Sequence, residues 1–169
     1  DVAAMGEVFA RAARAAWGHF LPPGRLAGFA MSPGRLAGAV SAAAQGSIAL
    51  VAEDDAGVVG FVVGGPAVDG DVDPRRVGLI DLLYVTPARW GEGTGRSLMR
   101  AALARMASSG MSEAVLWTAR DNTRPREVYV RFGWRLDGAE RRRVALGVPI
   151  TEARYRIATQ GWDVSNERS

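Results

Sequence analysis

The chain contains no cysteine, no lysine and a single histidine, His19, in 169 residues. Without cysteine there is no disulfide framework, no thiolate nucleophile and no thiolate-based metal site. One histidine rules out a His-rich metal site, so no metal is expected. With lysine absent, all 21 basic residues are arginines, and the formal net charge is only +3. The isoelectric point of about 10.1 therefore reflects arginine chemistry rather than a large charge excess. A planar guanidinium donates in pairs and suits phosphate better than an ammonium does, although a compositional bias toward arginine accounts for its use equally simply. No long apolar run is present either. The uncharged stretch from Leu36 to Ala52 is broken near its middle by "SAAAQGS", too short and too polar for a membrane span. No basic segment and cleavage site precede an apolar stretch, so the expectation is a cytoplasmic protein with no membrane partner.

What is present reads as one domain over 1–169. A hydrophobic content of 48% with 23% charge is that of an ordinary globular chain able to bury a core. In "AAMGEVFARAARAAW" the residues Met5, Phe9, Ala12, Ala13, Ala16 and Trp17 recur at helical spacing, and "LPPG" stops the helix. A second helix is expected from about Ser32 to the break at Gly46, with Pro33 in its first turn. "SIALVAED" and "GVVGFVVGG", joined by "DDAG", read as a strand hairpin. "PAVDGDVDPR" is a polar loop. "VGLIDLLYV" is apolar almost throughout, as a strand covered on both faces should be. "SLMRAALARM" continues as a helix, "EAVLWTA" as a strand, and "NTRPREVYVRF" as a short helix ended by Gly133. "WRLDGAERRR" and "ITEARYRIA" form a last pair of strands joined by "VALGVP". The order α-α-β-β-β-α-β-α-β-β predicts a mixed sheet with helices on both faces.

The stretch "PARWGEGTGR" joins a strand to a helix through glycines at 91, 93 and 95. A strand, a glycine-rich turn and a helix start make an anion site, because the first amides of the helix point outward at the positive end of its dipole. Two phosphate-binding patterns fail here. The P-loop would need glycine where Trp90 stands and lysine where Arg96 stands. The dinucleotide fingerprint would need a third glycine at Arg96 or Leu98. A third pattern, Gln/Arg-x-x-Gly-x-Gly/Ala, fits "WGEGTG" at both glycines, with Trp90 in place of Gln or Arg.

On this loop the chain resembles the GNAT superfamily of acetyl-CoA-dependent N-acetyltransferases. "LLYVTPARWGEGTGRSLM" looks like the family's fourth strand, pyrophosphate loop and third helix. "LWTARDNTRPREVYVRFGW" looks like its fifth strand and fourth helix, commonly N-x-x-A-x-x-x-Y-x-x-x-G-F. Asn122, Tyr129 and Gly133 are in register, with Pro125 for the usual Ala and Trp134 for the usual Phe. The motif core covers about 79–138. The resemblance implies an α/β (α+β) fold, a mostly antiparallel sheet splayed between the family's fourth and fifth strands. It also implies a strand ahead of the first helix, whereas this sequence begins at about that helix.

By the same resemblance, the pantetheine arm of acetyl-CoA pairs with backbone near Leu83, Tyr84 and Val85, beside a bulge that parts the strands. The Val85 amide donates to the thioester oxygen. Amides from Trp90, Gly91, Glu92, Gly93, Thr94, Gly95 and Arg96 face the pyrophosphate, with help from the Ser97 hydroxyl. Arg89 and Arg96 are candidates for direct phosphate pairing. Tyr129 is the candidate general acid: a phenol of pKa about 10 stays protonated at neutral pH and can donate to a leaving thiolate. Asn122 either caps a helix or bonds the cofactor's amide. The acceptor amine must lose a proton, and Asp81 is the one acid inside its strand. By alternation it shares a face with Leu83 and Val85, and in so apolar a strand it is either a base or a structural hydrogen-bonding group. Glu53 is a weaker candidate base, and His19 reads as packing.

These roles add up to an N-acetyltransferase acting by direct attack in a ternary complex, since without cysteine no acetyl-cysteine can form. The alternative is an acetyl-CoA-binding sensor or assembly protein without turnover. "ERRRVALG" raises nucleic acid, but alternation sends Arg141 and Arg143 to one face and Arg142 to the other, a thin patch, so no nucleic-acid partner is expected. The acceptor amine is set by the helix 1–2 region and "VALGVPIT", where motifs are silent. The far face of the sheet and the last strand are available to a homodimer.

Overall fold

A computed structural model describes residues 2–18, 33–43, 47–145 and 147–162. Helices α1 (Val2–Trp17) and α2 (Pro33–Ala43) are followed by strands β1 (Ile48–Asp54), β2 (Gly57–Pro66) and β3 (Val77–Val85). A 3-10 turn over Pro87–Arg89 leads to α3 (Thr94–Ser108), β4 (Glu113–Ala119), α4 (Thr123–Phe132), β5 (Arg135–Ala145) and β6 (Val148–Ala158). The element order is the one expected. The six strands form one sheet in the order β1-β2-β3-β4-β6-β5. All neighbours are antiparallel except β3 and β4, which need the α3 crossover to run parallel.

Each sheet face is covered. Met5, Val8, Phe9 and Ala13 of α1 and Leu36 of α2 bury against Phe61, Val63 and Leu82. On the other face Leu98, Met99, Ala102, Leu103 and Met106 of α3 pack on Val62, Ile80, Val85, Ala114, Leu116 and Tyr155, with Tyr129 and Phe132 of α4 alongside. Pro125 lies in the first turn of α4, where its missing N–H has no intrahelical partner to lose. The helix ends on Gly133 at φ +113°, the Gly133 amide donating to Val130 and the Trp134 amide to the Tyr129 carbonyl, a left-handed stop that favours glycine.

One junction differs from the expectation. "VALGVP" is not a connection: Val144 pairs with Pro149 and Ala145 with Val148, so four of its residues belong to the two strands and the turn between them is short. Gly147, at φ +76°, permits so short a turn.

Two features fix the sheet next to the site. Val63 pairs with Leu82 and Gly64 with Ile80, so Asp81 is an inserted, bulged residue. Opposite it, a Cβ on Gly64 would sit 2.5 Å from the Leu79 carbonyl oxygen. Gly64→Ala must therefore move backbone, and is expected to cost about 1–3 kcal/mol and about 2–4 °C of thermal midpoint per kcal/mol, read by calorimetric or dichroism melting. An unchanged midpoint would mean that the bulge is looser than its geometry indicates.

Candidate acetyl-donor site

β3 and β4 pair from Val77–Glu113 to Ile80–Leu116 and then part. β3 runs on to Val85 and β4 to Ala119, leaving a wedge between two strands whose inner edges have no paired neighbour among the described residues. Sheet edges present unpaired amides and carbonyls, and antiparallel alternation decides which residues supply them. The Thr86 amide donates to the Val59 carbonyl at 2.8 Å. Alternation from that pair turns the backbone of Tyr84 toward Phe61 of β2 and that of Leu83 and Val85 into the wedge. The three residues expected to face the arm thus divide. Leu83 and Val85 present backbone, while the Tyr84 ring packs on Phe9 and Phe61 at 4.7 and 5.8 Å on the α1 face.

Trp90, the departure from the family pattern, closes one of these groups. Its indole N–H donates to the Val85 carbonyl at 2.7 Å, which leaves the Val85 amide as the free donor of that residue. The Arg124 guanidinium of α4 lies 4.2 Å from the center of the same indole, bridging loop and helix. Sequence reasoning did not single out Arg124. Its place two residues after Asn122 was the only signal.

Gly91 and Gly93 adopt φ of +88° and +91°, the left-handed region. A Cβ on either would meet nothing within 4 Å, so glycine serves the backbone conformation and open space lies over the loop. Gly93 is the N-cap of α3 and has no side chain to bond its amides, so those of Thr94, Gly95 and Arg96 start the helix uncapped. Glu92, Arg96 and Ser97 are exposed beside them. Arg89 is committed elsewhere, to Asp54 and to Glu92, the latter at 3.2 Å.

Asn122 is buried at the start of α4 and makes no capping bond, and among the described residues its Oδ1 has no partner. A buried amide oxygen without a donor is costly, and the helix-capping account does not describe it, since no side-chain cap bond is made. Tyr129 packs its ring against Trp134 and Tyr155 at 6.4 and 6.3 Å. Its hydroxyl makes no hydrogen bond among the described residues, and burial pushes its pKa up to about 12.

The strand argument for Asp81 changes. The bulge breaks alternation, so Ile80 joins the α3 core and Leu82 the α1 core, and parity across Asp81 no longer assigns it the face of Leu83 and Val85. Its side chain is exposed where the strands part, which removes the burial reason for a partner. Glu53 is exposed on edge strand β1, two strands from the wedge. His19 lies outside the described residues.

On the α1 face, Trp17 packs with Ala119, Ala145, Val148 and Ile150, bringing the end of α1 to the β5–β6 turn. Beside them Trp117 donates to Asp69 Oδ1 at 3.0 Å. Two surface hollows, of about 550 and 500 Å³, lie away from the wedge, at the far end of β6 and on the outer side of α4. Among the described residues no helix is long and apolar enough to cross a membrane.

Residues 30–134 match the model of the Acetyltransferase (GNAT) family. An uncharacterized N-acetyltransferase of Archaeoglobus fulgidus is 38% identical over 80 residues, 47% of this chain and 54% of that protein, so the match spans about half of that relative's length. The fold is that of the PaiA N-acetyltransferase of Thermoplasma acidophilum, solved with coenzyme A, at a TM-score of 0.72 and 16% identity over 90% of this chain and 91% of the other. YncA of Salmonella typhimurium, solved with acetyl-CoA, superimposes at 0.71 with 20% identity, covering 94% of this chain and 88% of that one. The wedge, the glycine-held helix start and the matching family model agree: this chain belongs to the GNAT acetyltransferase family.

Proposed function

We propose that the protein is an N-acetyltransferase that moves an acetyl group from acetyl-CoA to a primary amine by direct attack in a ternary complex. The observation that carries this is the wedge between β3 and β4, with the backbone of Leu83 and Val85 turned into it and the Val85 carbonyl already taken by Trp90. Acetyl-CoA supplies the activated acyl group. Val85 offers its amide to the thioester oxygen, a donor fixed by the strand before reaction. Leu83 bonds the pantetheine arm, and Asn122 Oδ1 accepts from one of the arm's amides. The loop from Trp90 to Ser97 places uncapped amides against the pyrophosphate. Tyr129 holds its proton for the departing sulfur. Asp81, exposed at the parting of the strands, takes the proton of the attacking amine, directly or through water. The reaction draws on cytoplasmic acetyl-CoA, which is the reason to expect the protein there.

Calorimetric titration with acetyl-CoA, with NAD as control, tests the reading. Micromolar binding of acetyl-CoA and none of NAD are expected. No binding would mean that Trp90 in the Gln/Arg place has closed the site, and the enzyme reading would fall. Binding without thiol release against a broad amine panel would leave a sensor.

A further inference from the structure

Two arginines on the α1 face are held in an unusual way. Arg141 Nε donates to Glu152 Oε2 at 2.7 Å, and Arg143 Nε donates to Glu152 Oε1 at 2.8 Å. One carboxylate thus orients both guanidiniums, and its side chain is only 6% exposed. Nearby, Arg154 and Arg156 bond carboxylates through all three of their nitrogens. Arg141 and Arg143 use Nε alone. Among the described residues their terminal nitrogens have no acceptor, and the two side chains are 45% and 42% exposed. A pair built only to neutralise Glu152 would turn a terminal fork to it, as Arg154 does to Asp71. These two turn their forks outward.

The direction of Arg141 brings it toward the parting of β3 and β4. Ala119, Glu152 and Arg141 are cross-strand neighbours in one row over β4, β6 and β5, a span of about 10 Å. Arg141 reaches back along that row until its guanidinium lies 4.4 Å from the center of the Trp117 ring. Trp117 is the first residue of β4 beyond its last pair with β3. The Arg141 fork is therefore beside the wedge, on the face opposite α3.

We propose that Arg141 and Arg143 bind a carboxylate on the acceptor, making the substrate an amine that carries a carboxyl group, such as an amino acid or a short peptide. Two guanidiniums against one buried carboxylate leave a single positive charge, which matches a carboxylate rather than a dianionic phosphate. The planar forks suit bidentate contact with it. Trp117 keeps the Arg141 guanidinium flat and gives the acceptor an apolar wall. The proposal rests on the acetyltransferase reading for what is done to the amine, but not for the binding of the acid.

The test titrates a panel of N-acetyl amino acids and their carboxamides, followed by tryptophan fluorescence, with and without saturating coenzyme A. At least one acid is expected to bind about 10- to 100-fold more tightly than its amide, the range of a charge-assisted contact. Arg141→Gln or Arg143→Gln alone strands Glu152, so the comparison uses the triple variant with Glu152→Gln, and separately Arg143→Lys. The triple variant should lose the preference for acids, while Arg143→Lys should weaken it only in part. Acids and amides binding alike, no acid binding in either condition, or a preference that survives the triple variant would each overturn the assignment. Failure of coenzyme A to bind while acids still do would remove the acetyltransferase reading and leave the carboxylate site standing.

Discussion

Tyr129→Phe lowers kcat about 100-fold or more while leaving the affinity for acetyl-CoA unchanged. The substitution keeps the ring that packs on Trp134 and Tyr155 and removes only the hydroxyl. That hydroxyl makes no hydrogen bond among the described residues, so its loss strands no protein partner and the fold should tolerate it. Burial raises the Tyr129 pKa to about 12, so the phenol is protonated at every working pH. The same burial disfavours a thiolate beside it, so donor and acceptor rise together and transfer between them stays feasible. The ratio of wild-type to variant kcat is therefore expected to be flat from about pH 6 to about pH 10. A ratio that collapses within that range, or an unchanged kcat, would show that another group protonates the sulfur. Stability has a matching sign. The folded-state pKa lies above the unfolded value of 10.0, so the contribution is complete below about pH 10 and is lost as pH rises toward about 12. Alkaline unfolding of the variant should lack that component.

The parts of the site that could be read from residues are those whose signal is local. Positions 91 and 93 of the loop favour glycine because their own φ is positive. Asn122, Tyr129 and Gly133 keep a fixed spacing because one short helix carries Tyr129 and is flanked by the other two as its N- and C-cap positions. The alternation argument for the face of Asp81 lost its footing because a bulge leaves no mark in a strand as uniformly apolar as "VGLIDLLYV", and one inserted residue shifts every parity argument that crosses it. Tyr84 could not be separated from Leu83 and Val85 without the hydrogen bond at Thr86 that sets the phase of the ladder. Alternation did place Arg141 and Arg143 together, since both reach Glu152. It could not supply Glu152 itself, or Trp117, because those contacts depend on β6 lying between β4 and β5. The β5–β6 turn was drawn too long because its residues are apolar and turn-compatible at once, and only the ladder shows them paired.

The largest stability loss is expected at a residue with no part in the chemistry. Arg154, 5% exposed, donates through Nε to Asp137 Oδ2 at 2.7 Å and through its terminal nitrogens to both oxygens of Asp71 at 2.7 and 2.5 Å. Asp69 lies 4.0 Å away, 12% exposed, one oxygen bonded by Trp117 and the other buried without a partner among the described residues. Arg154 therefore fastens the β2–β3 connection to β6 and balances two nearly buried carboxylates. Arg154→Met keeps the bulk and removes the charge. Arg156 can still bond Asp137 at 3.1 Å, but Asp69 and Asp71 have no such substitute in the network. The cost is expected at about 3–5 kcal/mol, a large share of a total of roughly 5–15 kcal/mol, and urea unfolding at neutral pH measures it. Acid titration separates charge balance from lost packing. The hydrogen bond from Arg154, ahead of the smaller effect of its charge, holds the Asp71 carboxyl at about 2 instead of 3.8. A lowered folded-state pKa contributes stability above the unfolded value that fades as pH falls toward the folded one. Wild-type stability should thus decline between about pH 4 and about pH 2, and the variant should lose that part of the slope. A variant weaker at pH 7 with the acid slope intact would locate the loss in packing alone. The expected pair of results would identify Arg154 as the charge that fastens Asp71, and with it the β2–β3 connection that carries Asp69 to Trp117.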